Sequence, residues 1–267
     1  MTTIPVILSD RPPDRPSRMT ADFSSSLILP GAHDLCPGCG EPIAMRSAVE
    51  VLEELGCTQR AIAAFGIGCY TALALRLDIE VIQALHGRAP SLATGVKRAQ
   101  PDAVVFTVQG DGDMVNEGLQ EVLHTAARGE NVTAILLNNG VFGETGGHMT
   151  CTTVLGQRTK NTLEGRDAAN HGYPILISDL VSRLQGVAYV ARGAVNSAGN
   201  IAHTRAMLKR AFELQIAGAG FTFVEILTMC PTGWFIETRE APDYLSDNLA
   251  QVHTLGVLKD VASSDAG

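Results

Sequence analysis

The sequence lacks an excess of basic residues and has no long apolar run. Its 20 Lys and Arg stand against 28 Asp and Glu, giving a formal net charge of -8 and a sequence pI near 5.3. Clustered basic residues bind nucleic-acid phosphates, so no nucleic-acid partner is expected. No stretch approaches the ~20 apolar residues of a membrane-spanning helix. The first residues combine a short apolar run with several prolines, which is not the pattern of a signal peptide. We therefore expect a cytoplasmic protein without a membrane segment.

Cysteines are also scarce, with six in 267 residues. That is too few for a disulfide framework, and in a reducing compartment their spacing favours metal binding or catalysis. The chain is 45% hydrophobic and 18% charged. This composition indicates a substantial core, and the length is one that a single large α/β domain can fill.

The pattern along the chain predicts two parts. Residues 1–28 are rich in proline and serine and carry too little apolar surface to offset the entropy of ordering, so we predict a flexible N-terminal arm. Residues 29–267 are predicted to form one domain. There, apolar β-type runs alternate with helical patterns, which indicates an α/β fold with a mostly parallel sheet flanked by helices. A glycine-rich stretch at 143–173 is too long for a simple connection and is a candidate functional loop.

Two polar motifs follow two buried strands. Gly110-Asp111-Gly112 comes after AVVFTVQ, and Asn138-Asn139 ends the run VTAILLNN, with a helical pattern between them. Strand ends at one edge of a parallel sheet form ligand sites. The glycines permit backbone N–H groups to approach a phosphate, and the carboxylate and amide oxygens suit Mg²⁺. Taken separately, each motif is more typical of an ordinary turn, but their joint placement after two apolar strands favours a ligand site.

The cysteines fall into different sequence settings. Cys36 and Cys39 form a C-x-x-C pair, which is found in zinc sites, redox pairs and iron–sulfur sites. Cys69 and Cys230 each follow a strand, at the edge where the polar motifs also lie, so four thiols can converge. Taken singly, each of these two would be interpreted as a small buried hydrophobic residue, which is the usual role of an unpaired cysteine. Cys57 fits that second description best, and Cys151 lies in the glycine-rich stretch.

Six sequence blocks together resemble a known family. They are CPGCGEP, GIGC, HGRAPSLATGVKRAQP, GDGD, NNGVFGETGG and CPTGW, in this order from about residue 33 to 260. This set resembles the thiamine-diphosphate-binding β subunit of 2-oxoacid:ferredoxin oxidoreductases, in the compact form of 2-oxoglutarate and branched-chain 2-oxoacid enzymes. The resemblance implies oxidative decarboxylation of a 2-oxoacid with coenzyme A, giving acyl-CoA, CO₂ and reduced ferredoxin.

The resemblance also implies roles for individual residues. It implies a [4Fe–4S] cluster on Cys36, Cys39, Cys69 and Cys230, and Mg²⁺ on Asp111, the Asn139 side chain and the Val141 carbonyl. Residues expected to bind thiamine diphosphate are Ile67, Gly68, Cys69, Tyr70, His86, Gly110, Gly112, Asp113, Gly143 and Glu144.

Three residues are candidates for catalysis: His86, Glu144 and His148. Outside its sequence block, His86 would be read as a hydrogen-bonded histidine at a strand end. Glu144 replaces a neutral residue of the family pattern, so a carboxylate is expected to face the reacting centre and repel an anionic substrate. Phe142, Thr150 and Cys151 also depart from that pattern. His148 is read either as a proton donor or substrate ligand, or as a polar loop residue. The sequence does not choose among 2-oxoacids.

The implied chemistry needs partners. Thiamine diphosphate enzymes use a glutamate from a pyrimidine-binding domain, and we expect an α subunit to supply it, with possible γ and δ subunits and ferredoxin or another electron acceptor. Two alternatives remain at this point. One is a non-oxidative thiamine-diphosphate-dependent 2-oxoacid decarboxylase subunit, and the other is a zinc-stabilised assembly subunit without catalysis.

Overall fold

The computed structural model describes residues 27–29 and 33–261. Its strands are β1 (Ala61–Phe65), β2 (Glu80–Gln83), β3 (Val104–Gly110), β4 (Thr133–Asn138), β5 (Val141–Phe142), β6 (His148–Met149), β7 (Val187–Ala194), β8 (Phe221–Leu227) and β9 (Gly256–Asp260). Its α-helices are α1 (Glu41–Glu54), α2 (Thr71–Ala74), α3 (Ala89–Ala99), α4 (Leu119–Ala127), α5 (Ala168–His171), α6 (Ile177–Ser182), α7 (Ala198–Ile216), α8 (Pro231–Trp234), α9 (Ala241–Tyr244) and α10 (Ala250–Val252). Short 3₁₀ turns span Thr58–Arg60 and Thr238–Glu240, and π-helical turns span Gly112–Glu117 and Leu245–Leu249.

The main sheet has the strand order β2-β1-β3-β4-β8-β7-β9. Each neighbouring pair runs parallel except β7 and β9, which are antiparallel. Strands β5 and β6 pair with each other in an antiparallel hairpin outside the main sheet. The predicted α/β class with a mostly parallel sheet is therefore confirmed, and the antiparallel edge strand β9 is an addition that the sequence pattern did not predict.

Helices cover both faces of the sheet because side chains alternate along the strands. Val104 and Phe106 of β3 belong to one core with α1 and α7, whereas Val105 of the same strand belongs to a core with α3. Helices α4 and α6 pack with β4, β7 and β8 in a third core. Helix α1 carries Pro42 in its first turn and is followed by Gly56 at φ +66°, and these two residue types are typical of a helix start and a helix end. The apolar pattern TALALRL favours a helix over residues 71–77, but α2 ends at Ala74.

The described part includes only the last residues of the predicted N-terminal arm, because residues 1–26 lie outside it. Leu27 is buried, and its carbonyl accepts a hydrogen bond from the Asp78 backbone at 2.8 Å. Ile28 forms a β-bridge with Leu77. Within the described residues, no helix has both the length and the apolar character that crossing a bilayer requires.

The sheet brings distant sequence motifs to one edge. The carboxyl ends of the adjacent strands β1, β3, β4 and β8 lead into Gly66–Tyr70, Asp111–Asp113, Asn139 and Cys230 respectively. This is the edge at which parallel α/β sheets form ligand sites.

Candidate functional site

A cavity of about 390 Å³ opens at this edge. Its size is within the usual range for small-molecule and cofactor sites. The residues predicted to bind thiamine diphosphate all line it, together with the predicted Mg²⁺ residues and His148. Four further lining residues were not predicted from the sequence as site residues: Glu41, Glu117, Phe142 and Thr145.

Asp111 is the most buried carboxylate of the cavity and is 1% exposed. Its Oδ2 accepts hydrogen bonds from Thr150 Oγ1 at 2.6 Å and Thr152 Oγ1 at 2.5 Å. Burial raises the pKa of Asp111 to about 6, although the two hydroxyls and backbone N–H groups act in the opposite direction. A nearby cation would stabilise the ionised form.

Asn139 provides the second oxygen donor beside Asp111. Its Oδ1 accepts a hydrogen bond from Val141 N at 3.0 Å, which fixes the amide and leaves its second lone pair free. A backbone N–H of Asn139 also bonds to Asp111. A buried carboxylate, a fixed amide oxygen and the Val141 backbone on one cavity wall are a donor set of the oxygen type that Mg²⁺ binds. The residues therefore fit the ion.

Asp113 lines the cavity and also holds neighbouring residues of the protein. Its Oδ1 lies 2.8 Å from His86 Nδ1 and accepts from Gly87 N at 2.9 Å, and its Oδ2 accepts from Gln109 Nε2 at 2.7 Å. The side chain is almost fully buried, whereas that of His86 is about half exposed. Asp113 therefore orients His86 at the cavity wall.

Glu144 and His148 lie at the mouth of the cavity, in the hairpin of β5 and β6. The turn is closed by hydrogen bonds from Gly147 N to Phe142 O at 2.9 Å and from Gly146 N to Gly143 O at 3.0 Å. His148 Nδ1 is 3.0 Å from Thr145 Oγ1. Glu144 is exposed, yet its charge contributes to the raised pKa values of the buried Glu41 carboxyl and the Cys69 thiol.

The four predicted cluster cysteines come from three separate segments, and two of them, Cys69 and Cys230, lie beside this hairpin. A Cβ built on Gly143 would lie 3.5 Å from the sulfurs of both Cys69 and Cys230. Burial, together with the charges of Glu41 and of other thiols of the set, raises the pKa of each of these two thiols to about 12. Cys39 is shifted in the same direction for the same reasons.

The four thiols are close enough to affect one another, which fits an iron–sulfur cluster. A cluster separates its ligands more widely than a single ion does. Among the described residues, no three His, Cys, Asp or Glu side chains are placed to hold one metal ion. The other two cysteines differ from this set. Cys57 is fully buried in the core, and the charges that act on the pKa of Cys151 are those of Arg166 and Asp111 rather than those of the four thiols.

Glu41 is a site residue that sequence reasoning missed. It begins α1, two residues after Cys39, and is 3% exposed while lining the cavity. Its Oε2 has no hydrogen-bond partner among the described residues. Burial raises its pKa to about 8, and the charges of Asp111 and Glu144 add to this shift. In the sequence, it was indistinguishable from an ordinary acidic residue in a first helical turn.

Arg166 organises the long loop and was also missed. Its guanidinium is buried and donates to the carbonyls of Thr150, Cys151 and Thr153 at 2.6–3.2 Å, and to three more carbonyls at residues 171–173. The loop segment that presents the Thr150 and Thr152 hydroxyls to Asp111 is thereby anchored to a distant part of the same loop.

Comparison with known proteins identifies the family. Residues 54–226 match the model of the thiamine pyrophosphate enzyme C-terminal TPP-binding domain. The ketoisovalerate oxidoreductase subunit VorA of Methanothermobacter thermautotrophicus is 37% identical over 82% of this chain, but the match covers 46% of that protein. The chain thus spans about half the length of this relative. The 2-oxoglutarate synthase subunit KorB of Archaeoglobus fulgidus is 30% identical over 92% of this chain and 87% of that protein.

A solved structure agrees in fold. The 2-oxoglutarate:ferredoxin oxidoreductase from Magnetococcus marinus, determined with 2-oxoglutarate, coenzyme A and succinyl-CoA bound, superimposes with a TM-score of 0.69 over 90% of this chain and 87% of that chain. At 24% identity this likeness concerns the fold alone. From the family match and the KorB-type relatives, this chain belongs to the thiamine-pyrophosphate-binding subunits of the 2-oxoacid oxidoreductase family.

Proposed function

We propose that this chain is the β subunit of a 2-oxoacid:ferredoxin oxidoreductase. The complex would convert a 2-oxoacid and coenzyme A to acyl-CoA and CO₂ and pass electrons to ferredoxin. The family membership supports thiamine diphosphate as the cofactor. The Mg²⁺ ion, the [4Fe–4S] cluster, the subunit partners and a cytoplasmic location belong to the proposal.

One observation carries the oxidative reading. The sulfurs of Cys69 and Cys230 both border Gly143, which itself lines the cofactor cavity. A non-oxidative decarboxylase has no use for thiols here, because its reaction releases no electrons. Redox chemistry needs an electron acceptor in contact with the cofactor, and a cluster on these cysteines would be adjacent to it.

The chain's own residues have separable tasks in this proposal. When bound, thiamine diphosphate would supply carbanion chemistry for a 2-oxoacid, and a cluster on the four cysteines would supply one-electron redox chemistry. Asp111, Asn139 and the Val141 carbonyl would hold Mg²⁺ against the diphosphate, with the backbone around Gly110 and Gly112 close by.

Three side chains at the cavity handle protons and charge. His86, held by Asp113, would present its free ring nitrogen to the cavity as a hydrogen-bonding group. His148 and Glu144 sit where substrate enters, and Glu144 disfavours a second carboxylate on the substrate.

Partners complete the site. An α subunit with a pyrimidine-binding domain would supply the glutamate that contacts the aminopyrimidine, and further γ or δ subunits would relay electrons. If the purified chain alone decarboxylates 2-oxoacids and reduces ferredoxin at the rate of the whole complex, this division of labour is wrong.

Metal and cofactor analysis of the anaerobically purified complex tests the function. We expect about four iron per β chain in the cluster of this subunit, beyond the iron of other subunits, together with thiamine diphosphate. Cys230→Ser should lose that iron and the acyl-CoA-forming activity. Cys57→Ser is the matched control, because Cys57 is a core cysteine outside the set.

Other results favour the alternatives. If Cys230→Ser keeps its iron content, or if both serine variants behave alike, the cluster assignment is wrong. Thiamine diphosphate without cluster iron would indicate the non-oxidative decarboxylase, and one zinc without thiamine diphosphate would indicate the assembly subunit.

A further inference from the structure

A buried polar network lies behind the proposed Mg²⁺ residues. Its centre is Glu225 of β8, which is fully buried. Glu225 Oε1 accepts a hydrogen bond from Asn138 Nδ2 at 2.7 Å, and Oε2 accepts from Arg192 Nε at 2.7 Å and from the Ser178 hydroxyl. A buried carboxylate is costly unless it is paired, so each of these donors stabilises its charge.

Glu225 connects directly to the Asn138-Asn139 turn. Asn138 Oδ1 accepts from Gly140 N at 3.0 Å while its Nδ2 donates to Glu225. Both functional groups of Asn138 are thus occupied, which fixes the backbone from which the next residue, Asn139, presents its oxygen to the cavity. The first asparagine of the pair therefore anchors the turn, whereas the second faces the cavity.

His253 connects the same carboxylate to the opposite wall of the site. It is fully buried, and its Nδ1 lies 3.6 Å from Glu225 Oε1. Its Nε2 lies 3.0 Å from the carbonyl oxygen of Thr152, and since a carbonyl only accepts, Nε2 is the donor. Thr152 in turn donates its hydroxyl to Asp111 at 2.5 Å. The chain of contacts runs from Glu225 through His253 and Thr152 to Asp111.

We propose that His253 and Glu225 are positioning residues that keep Asp111 and Asn139, the two halves of the cation site, in their relative positions. Neither lines the cavity. Outer-shell partners of metal ligands affect affinity because they fix the ligand's orientation, and their loss typically weakens metal binding by about 10- to 100-fold. This inference rests on the proposed Mg²⁺–thiamine diphosphate site.

The decisive comparison uses two amide replacements of His253. In His253→Gln the amide nitrogen reaches the position of Nε2 and can still donate to Thr152, whereas in His253→Asn it reaches only the position of Nδ1. The assembled complex is stripped of cofactor, and binding of thiamine diphosphate at fixed Mg²⁺ is measured by titration calorimetry. We expect His253→Asn to raise the dissociation constant about 10-fold or more, and His253→Gln to stay within about 3-fold of wild type.

Gln215→Leu is the matched control for loss of a buried polar group. Gln215 is 1% exposed, and its Nε2 donates to the carbonyls of Val105 and Asn131, near the opposite end of the sheet from the cavity. The Gln215→Leu variant should have a lower melting temperature than wild type but the same affinity for thiamine diphosphate. His253→Asn should also raise the KM for thiamine diphosphate far more than it lowers kcat at saturating cofactor.

The outcomes separate the two proposals. Wild-type affinity in His253→Asn, equal weakening in both His253 variants, or equal weakening by Gln215→Leu overturns the positioning role alone. A wild-type complex that binds no thiamine diphosphate overturns the proposed function, and the positioning role with it.

Discussion

Asp113 offers a sharp test of how the cavity wall is held together. Its carboxylate receives three hydrogen bonds, from His86, Gly87 and Gln109, and is almost fully buried. Asp113→Ala removes both acceptor oxygens and so leaves all three donors without their partner. Asp113→Asn keeps one oxygen for Gly87 N and offers an amide toward Gln109, whose own Oε1 has no partner among the described residues. A rotation of the Gln109 amide would therefore satisfy both groups.

The magnitudes follow from these partners. A hydrogen bond to a charged group contributes about 1.5–3 kcal/mol. His86 is half exposed and can turn to water, so two buried donors decide the cost, and Asp113→Ala should destabilise the region by about 3–5 kcal/mol. Asp113→Asn should cost about 1 kcal/mol, since it exchanges charged bonds for neutral ones.

Amide hydrogen exchange of the assembled complex, followed by mass spectrometry, measures this locally. In the peptide containing Gly87, exchange in Asp113→Ala should accelerate about 100-fold or more, because 1.4 kcal/mol corresponds to about a factor of ten. Asp113→Asn should accelerate it about tenfold or less. Equal acceleration in both variants would refute the argument that Gln109 rotates to satisfy the amide, and no acceleration in either would refute the anchoring role.

Three further predictions concern the loop, the mouth and the core. Arg166→Met leaves six carbonyls without their donor and should lower stability by about 3–5 kcal/mol, seen as a lower melting temperature of the complex; an unchanged melting temperature would contradict this. Glu144→Gln removes a screened negative charge and should raise kcat/KM for a dicarboxylic 2-oxoacid about threefold relative to a monocarboxylic one. A steady-state assay over a panel of 2-oxoacids measures this ratio, and an unchanged ratio would contradict the prediction. Burial alone would raise the pKa of Glu225, but Arg192 and His253 hold it below its usual 4.5. The stabilising contribution of the Glu225 carboxylate is therefore present above pH 4.5 and is lost as the pH falls below that value. The melting temperature of Glu225→Gln should accordingly depend less on pH than that of wild type between about pH 5 and 3.

The sheet was predictable because its central strands are uninterrupted apolar runs ending in polar motifs. The run FTFVEIL coincides with β8, and AVVFTVQ is offset from β3 by one residue at each end. Strand β9 has only mixed polar and apolar residues at an antiparallel edge, so its pattern carried no comparable signal. The convergence of the motifs then follows from the parallel topology.

The details of the site were less predictable because they depend on contacts between distant loops. Thr150 was noted only as a departure from a family pattern, yet its hydroxyl bonds to Asp111, 39 residues earlier. In the sequence, Glu41 is an ordinary acidic residue of a first helical turn, and only the fold shows that it is buried. Asp113 was predicted to bind the cofactor; it lines the cavity and also holds His86, so its cofactor role stays a prediction. The assigned cofactor and metal roles of the other residues remain predictions.

The anchoring of the long loop by Arg166 has a thermodynamic consequence for cofactor binding. A single guanidinium joins carbonyls at residues 150–153 to carbonyls at 171–173, so the loop is held in shape by the chain itself. A ligand that meets a preorganised loop has little conformational entropy to remove. Thiamine diphosphate should therefore bind with a heat-capacity change set by the surface it buries and without the larger change of a coupled folding transition. In a variant that lacks Arg166, calorimetric titration with thiamine diphosphate should show the larger heat-capacity change of coupled folding.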